Sequence, residues 1–139
     1  MFSNKIKIIA LGLMATATLL VTSCKKDDHI HDPEPETATI TITTPTEMQT
    51  FDEDETVNIT GKIEYSKGLH GYQIIIRQKS DNSVKFEIDE HAHGTSINFN
   101  ESWTNNLHGH NDMELEVIAI LDHDGNTTSK KVNFHCHGH

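Results

Sequence analysis

The stretch MELEVIAILDHDGNTTSKKVNFH, running from Met113 to His135, decides the fold. Met113, Leu115, Val117, Ala119 and Leu121 fall on every second residue, which places them on one face of an extended chain. Asp122-His123-Asp124-Gly125-Asn126 then forms a tight turn, because Gly and Asn accept positive φ and Asp carboxylates bond nearby amides. In the strand that follows, Val132 and Phe134 point inward and Cys136 continues their face. His135 and His137 therefore point outward. A hairpin with one apolar face needs a second layer to cover it, and this sets the expectation for the rest of the chain.

Working back from this hairpin, the chain after residue 37 is a succession of short Thr-, Val- and Ile-rich runs separated by turn residues, with no sustained helical period. Strands are predicted over 38–43, 56–64, 69–78, 84–88, 95–100, 113–121 and 128–135. In the second, Val57, Ile59, Gly61 and Ile63 share the core face. In the third, Ile74-Ile75-Ile76 is apolar on both faces, as suits the middle of a sheet. Trp103 reads as a core plug, since large aromatics supply much of a small core. About seven strands in roughly a hundred residues predict an all-β, antiparallel β-sandwich of the immunoglobulin-like kind.

The pattern Pro45…Phe51…Glu55-x-Val57-x-Ile59-x-Gly61, with Asp122-x-Asp124-Gly125-Asn126-Thr127 later, resembles the immunoglobulin-like domains of exported bacterial proteins. It also resembles small lipoproteins of unknown function from Bacteroidetes-type bacteria. The resemblance spans residues 38–135 and implies the fold; it says little of function, because this sandwich carries many unrelated activities.

The N-terminal segment predicts export. Lys5 and Lys7 precede a mostly apolar run from Ile8 to Val21, too short for the roughly 20 residues of a membrane-spanning helix, and the pattern is that of a signal peptide over 1–23. Val21-Thr22-Ser23-Cys24 resembles a bacterial lipobox, which makes Cys24 the lipidation site. Lys25-Lys26-Asp27-Asp28 resembles the Lys-then-acidic signal of surface-exposed lipoproteins. Together they predict an outer-membrane lipoprotein rather than an inner-membrane one, with exposure at the cell surface left open. Residues 24–37, acidic and carrying Pro33 and Pro35, read as a lipidated cysteine and flexible tether, and 38–139 as the sandwich. On the tether, His29 and His31 read as solvated.

The formal charge is −10, from 11 basic and 21 acidic residues, and losing Lys5 and Lys7 with the signal makes it more negative by two. Nucleic acid is a poor partner for such a surface, and contact with the membrane is expected only through the lipid. With Cys24 lipidated, Cys136 is the remaining thiol and has no intramolecular partner; burial is its expected state.

The eleven histidines carry the functional signal. Pairs recur at His-x-His spacing: His29/His31, His91/His93, His108/His110 and His135/His137, with His139 extending the last. On a strand such residues leave one face with Cα atoms ~6.5–7 Å apart, close enough for two imidazoles to meet one ion. Alternating strand direction sorts them into two groups. His70, His91, His93 and His123 fall at one end of the sandwich. His108 and His110 fall at the other, near His135, His137 and His139. Each group is predicted to bind zinc or copper(II), both of which accept imidazole nitrogen. A metal-bridged homo-oligomer through the exposed C-terminus is left open. Asp122, Asp124 and Asn126 are better explained by the turn than by a calcium loop. No serine has a paired histidine and carboxylate, and no phosphate loop is present, so no enzyme is predicted. The predicted function is a lipid-anchored metal-binding protein for capture, buffering or delivery. The alternative is an adhesion or accessory module of a surface complex, with incidental histidines.

Overall fold

The computed structural model describes residues 37–138. The signal segment, Cys24, the tether with His29 and His31, and His139 lie outside the described residues. Eight strands form: β1 (Thr39–Thr44), β2 (Thr50–Phe51), β3 (Thr56–Leu69), β4 (Gly71–Gln78), β5 (Val84–Glu90), β6 (Gly94–Thr104), β7 (His110–Ile120) and β8 (Thr127–His137). Among the described residues there is no helix. The strands build two sheets, β1-β3-β6 and β2-β8-β7-β4-β5, whose inner faces supply one core, an all-β immunoglobulin-like sandwich as predicted.

The core follows the alternation of the sequence. Val57, Ile59 and Ile63 on β3, Met113, Leu115, Val117 and Ala119 on β7, and Phe134 and Cys136 on β8 are buried, while the residues between them are largely exposed or half-buried. Trp103 is buried opposite Val57, so it is a core plug as predicted. Ile74 and Ile76 join the core. Ile75, on the opposite face, is also buried, its register neighbours Glu87 and Glu116 lying on either side of it.

Strand β4 begins at Gly71 rather than Leu69 and β5 runs on to Glu90, and four further differences from the sequence prediction each have a physical cause. The additional strand, β2, has only two residues, too few to show a period; it pairs in parallel with β8 through Thr50 opposite His135 and Phe51 opposite Cys136. The second predicted strand does not stop at Glu64. It runs on to Leu69 through a register shift that absorbs the unpaired residues. Strand β6 continues through Trp103 to Thr104, because its core face needs that aromatic. Finally, β7 begins at His110 and β8 ends at His137, so the two His-x-His pairs at this end reach into the sheet itself.

Candidate functional site

At one end of the sandwich, the connections β3–β4, β5–β6 and β7–β8 bring together His70, His91, His93 and His123, the first predicted group. The His70 amide donates to Ile120 O at 2.9 Å, which ties the β3–β4 corner to the end of β7. Gly71 lets this corner close on β5: a Cβ there would sit 2.5 Å from Glu90 O and 3.5 Å from His91 Cα. The four imidazoles form a connected set. Ring centroids lie 4.0 Å apart for His70–His123, 5.1 Å for His70–His93 and 4.6 Å for His91–His93, all edge to face.

Those separations are informative. With zinc–nitrogen bonds of ~2.0–2.1 Å, two imidazoles on one tetrahedral ion have centroids about 5 Å apart. Among the described residues no three His, Cys, Asp or Glu side chains converge on a single point as they stand. His91, His93 and His123 are exposed, however, so their side chains have room to change rotamer toward a shared ion. His70 is half-buried, and its Nδ1 is a buried polar atom without a hydrogen-bond partner. Such atoms are uncommon and costly in folded proteins, and a metal ion is one group that satisfies them. Burial, followed by the proximity of His123 and His93, holds the His70 imidazolium below its ordinary value; Asp122 opposes this. The ring is thereby kept neutral, the form that ligates.

Asp122 itself is committed to the turn. Its Oδ1 accepts from the amides of Asp124 (2.9 Å) and Asn126 (3.1 Å), and its Oδ2 accepts from Asn126 Nδ2 at 2.6 Å. These bonds, led by Asn126, keep its carboxyl well below the usual carboxylate range. The hairpin explanation of Asp122-x-Asp124-Gly125-Asn126 thus accounts for the residues.

The second predicted group is arranged differently. His110 lies directly opposite His137 across the β7–β8 ladder, with ring centroids 4.5 Å apart. One row along on the same face, Asp112 lies opposite His135, whose Nδ1 is 2.7 Å from Asp112 Oδ1. His108 stands off the sheet, its Nδ1 2.8 Å from Glu53 Oε1. An imidazole held at one nitrogen by a carboxylate has that nitrogen occupied and its ring orientation fixed. The structure therefore joins His110 to His137 but gives His108 and His135 separate carboxylate partners.

Two residues that position this end were not singled out in the sequence. Among the described residues, Asn105 is the fully buried polar side chain. Its Nδ2 donates to Asp52 O (3.0 Å) and His137 O (3.3 Å), its Oδ1 accepts from Leu107 N (3.1 Å), and its backbone bonds Glu55 O and Asp54 N. It locks the Glu53 loop, the His108 loop and the end of β8 to one another. Asn105→Ala should cost ~1–3 kcal/mol by leaving buried partners unsatisfied, read as a lower denaturant midpoint. Gly138 is the other. Its amide donates to Gly109 O at 2.7 Å, and a Cβ would come closer than 3.0 Å to Leu107 O, His108 Cα and Gly109 N. Sequence offered no signal for Asn105, whereas a glycine between two histidines was a cue to a close backbone approach.

Cys136 lies in the core as predicted, and burial together with Glu55 pushes its thiol up to about 12. Native protein at pH 8 should not react with a thiol reagent until denatured; stoichiometric labelling of the folded chain would contradict this placement. Comparison with known proteins finds no family model that matches the chain, and no curated protein matches it.

Proposed function

We propose that this chain is a lipid-anchored protein of the bacterial cell envelope that binds zinc or copper(II) through histidine, for capture, buffering or delivery of the ion. Anchoring rests on the signal segment and on Val21-Thr22-Ser23-Cys24, which favour an outer-membrane lipoprotein. Metal binding is carried by one observation: four imidazoles from three separate connections meet at one end of the sandwich, around a His70 Nδ1 that is buried without a partner. No packing requirement of the core explains that convergence, since three of the four rings are exposed. The acidic surface favours approach of cations.

The direct test uses the chain without its signal segment and with Cys24→Ser, stripped by chelator and titrated with zinc and with copper(II). One ion per chain should bind at the His70 end, with affinity falling as pH drops through ~6.5. Affinity no better than that of an isolated surface His-x-His pair would reject the proposal.

One feature favours a second reading, an adhesion or accessory module of a surface complex. The outer face of β1-β3-β6 is largely uncharged, with Thr41, Asn58, Asn98, Asn100 and Ser102 exposed, although the chain is strongly acidic. Its Lys62 and Glu64 pair with each other at 2.6 Å. If partner binding survives removal of both histidine groups, this reading gains and the first loses.

A further inference from the structure

His110 and His137 face each other across the β7–β8 ladder. We propose that they form half of a metal site, which a second copy of this chain completes with the same two residues, so that one zinc or copper(II) ion joins two chains through the outer face of β7 and β8. This rests on the reading of the protein as a metal binder, but not on the cluster around His70.

The argument begins with ligand supply. The two rings are cross-strand neighbours on a sheet face, 4.5 Å apart, near the ~5 Å expected for two imidazoles sharing a tetrahedral ion. A closed site needs four ligands. His135 is one row along and is bonded to Asp112, its own cross-strand partner. His108 is bonded to Glu53 in the neighbouring loop. One chain therefore brings two imidazoles side by side here, His110 exposed and His137 half-buried.

Geometry and charge favour a second copy as the missing half. A two-fold axis through the ion would bring His110 and His137 of each chain onto it, a self-complementary contact that closes without growing into a filament. On the β8 side the sheet ends in the two-residue strand β2, which pairs with His135 and Cys136 and stops short of His137. Two strongly acidic chains repel each other, and Asp112 and Glu53 add negative charge beside the patch. A shared dication offsets that repulsion and is itself attracted by the carboxylates. Association is thus conditional on metal.

The test is sedimentation velocity of the Cys24→Ser chain without its signal segment, in chelator and with added zinc sulfate, with bound zinc measured on the same samples. A monomer in chelator should become a dimer in zinc, carrying one ion per two chains beyond that at the His70 end. His137→Ala, and independently the exposed His110→Gln, should stay monomeric in zinc and lose only that half-equivalent; circular dichroism checks their fold. His70→Ala should still dimerise. A wild-type chain that binds zinc at His110 and His137 while staying monomeric would overturn the proposal, as would dimerisation of His137→Ala. So would loss of the dimer in His108→Ala or His139→Ala, since the bridge would then lie elsewhere. Dimerisation without an ion at the His70 end would reject the proposed function's carrying site and leave this inference standing.

Discussion

Replacing His70 with alanine should weaken zinc or copper(II) binding at its end of the sandwich by at least the ~10–100-fold that accompanies loss of even an outer-shell partner. His70 is the hinge of the cluster: it contacts both His93 and His123, which come from different connections, and its Nδ1 is shielded from water. His91 touches only His93 among the four rings, so His91→Ala should have the smaller effect. Stability gives an independent readout. An ion that binds only the folded chain stabilises it by ~2.7 kcal/mol when free metal is 100 times the dissociation constant. Wild type should gain more from added metal than His70→Ala, which keeps only what the His110–His137 end contributes; equal gains would remove His70 from the site.

The metal-free chain carries a pH signature of the same residue. Burial and the neighbouring imidazoles lower the folded-state value of His70 below 6.5, so between the folded and the unfolded values the unfolded chain binds more protons. Stability therefore rises with pH in that window. The contribution is complete above the unfolded value of ~6.5 and is lost as pH falls toward the lower, folded value. In chelator, the denaturant midpoint of wild type should drop across this acidic window, and His70→Ala should show a shallower dependence there. Added metal should steepen the wild-type dependence, since protonated imidazoles do not ligate.

The alternation of Val57, Ile59, Gly61 and Ile63, and of Met113 through Leu121, was enough to place two facing sheets and their shared core. Strand direction was also enough to send His70, His91, His93 and His123 to one end, because that follows from connectivity and needs no side-chain detail. Other features depend on contacts between residues far apart in the chain. Thr50–Phe51 becomes a strand only because β8 lies beside it. His108 and His135 carry the same His-x-His spacing as their neighbours, yet Glu53 and Asp112 engage them, and no spacing rule signals a carboxylate arriving from another segment. Asn105 shows the limit most sharply: a single asparagine after Thr104 looks like a loop residue, and its role as the buried tie among three segments exists only once those segments meet.

The largest stability effects should come from the pair Gly61 and Phe99, which face each other across β3 and β6 on the core side. Phe99 is almost completely buried, and its ring covers the place a side chain at position 61 would occupy. Phe99→Ala should cost ~3–5 kcal/mol, a large share of the ~5–15 kcal/mol that holds a typical domain folded. Gly61→Ala should also destabilise, by ~1–3 kcal/mol or more, because the new Cβ meets the Phe99 ring and, behind it, the Thr41 carbonyl. In the double variant the methyl enters space that the ring has vacated, so the combined cost should fall below the summed costs by ~0.5–3 kcal/mol. It should not return to wild type, because Thr41 O belongs to the β1 backbone and cannot rotate away as a side chain does. Urea midpoints and slopes for the four proteins measure this directly. Strict additivity would mean that the ring and the glycine do not share the space the structure assigns them.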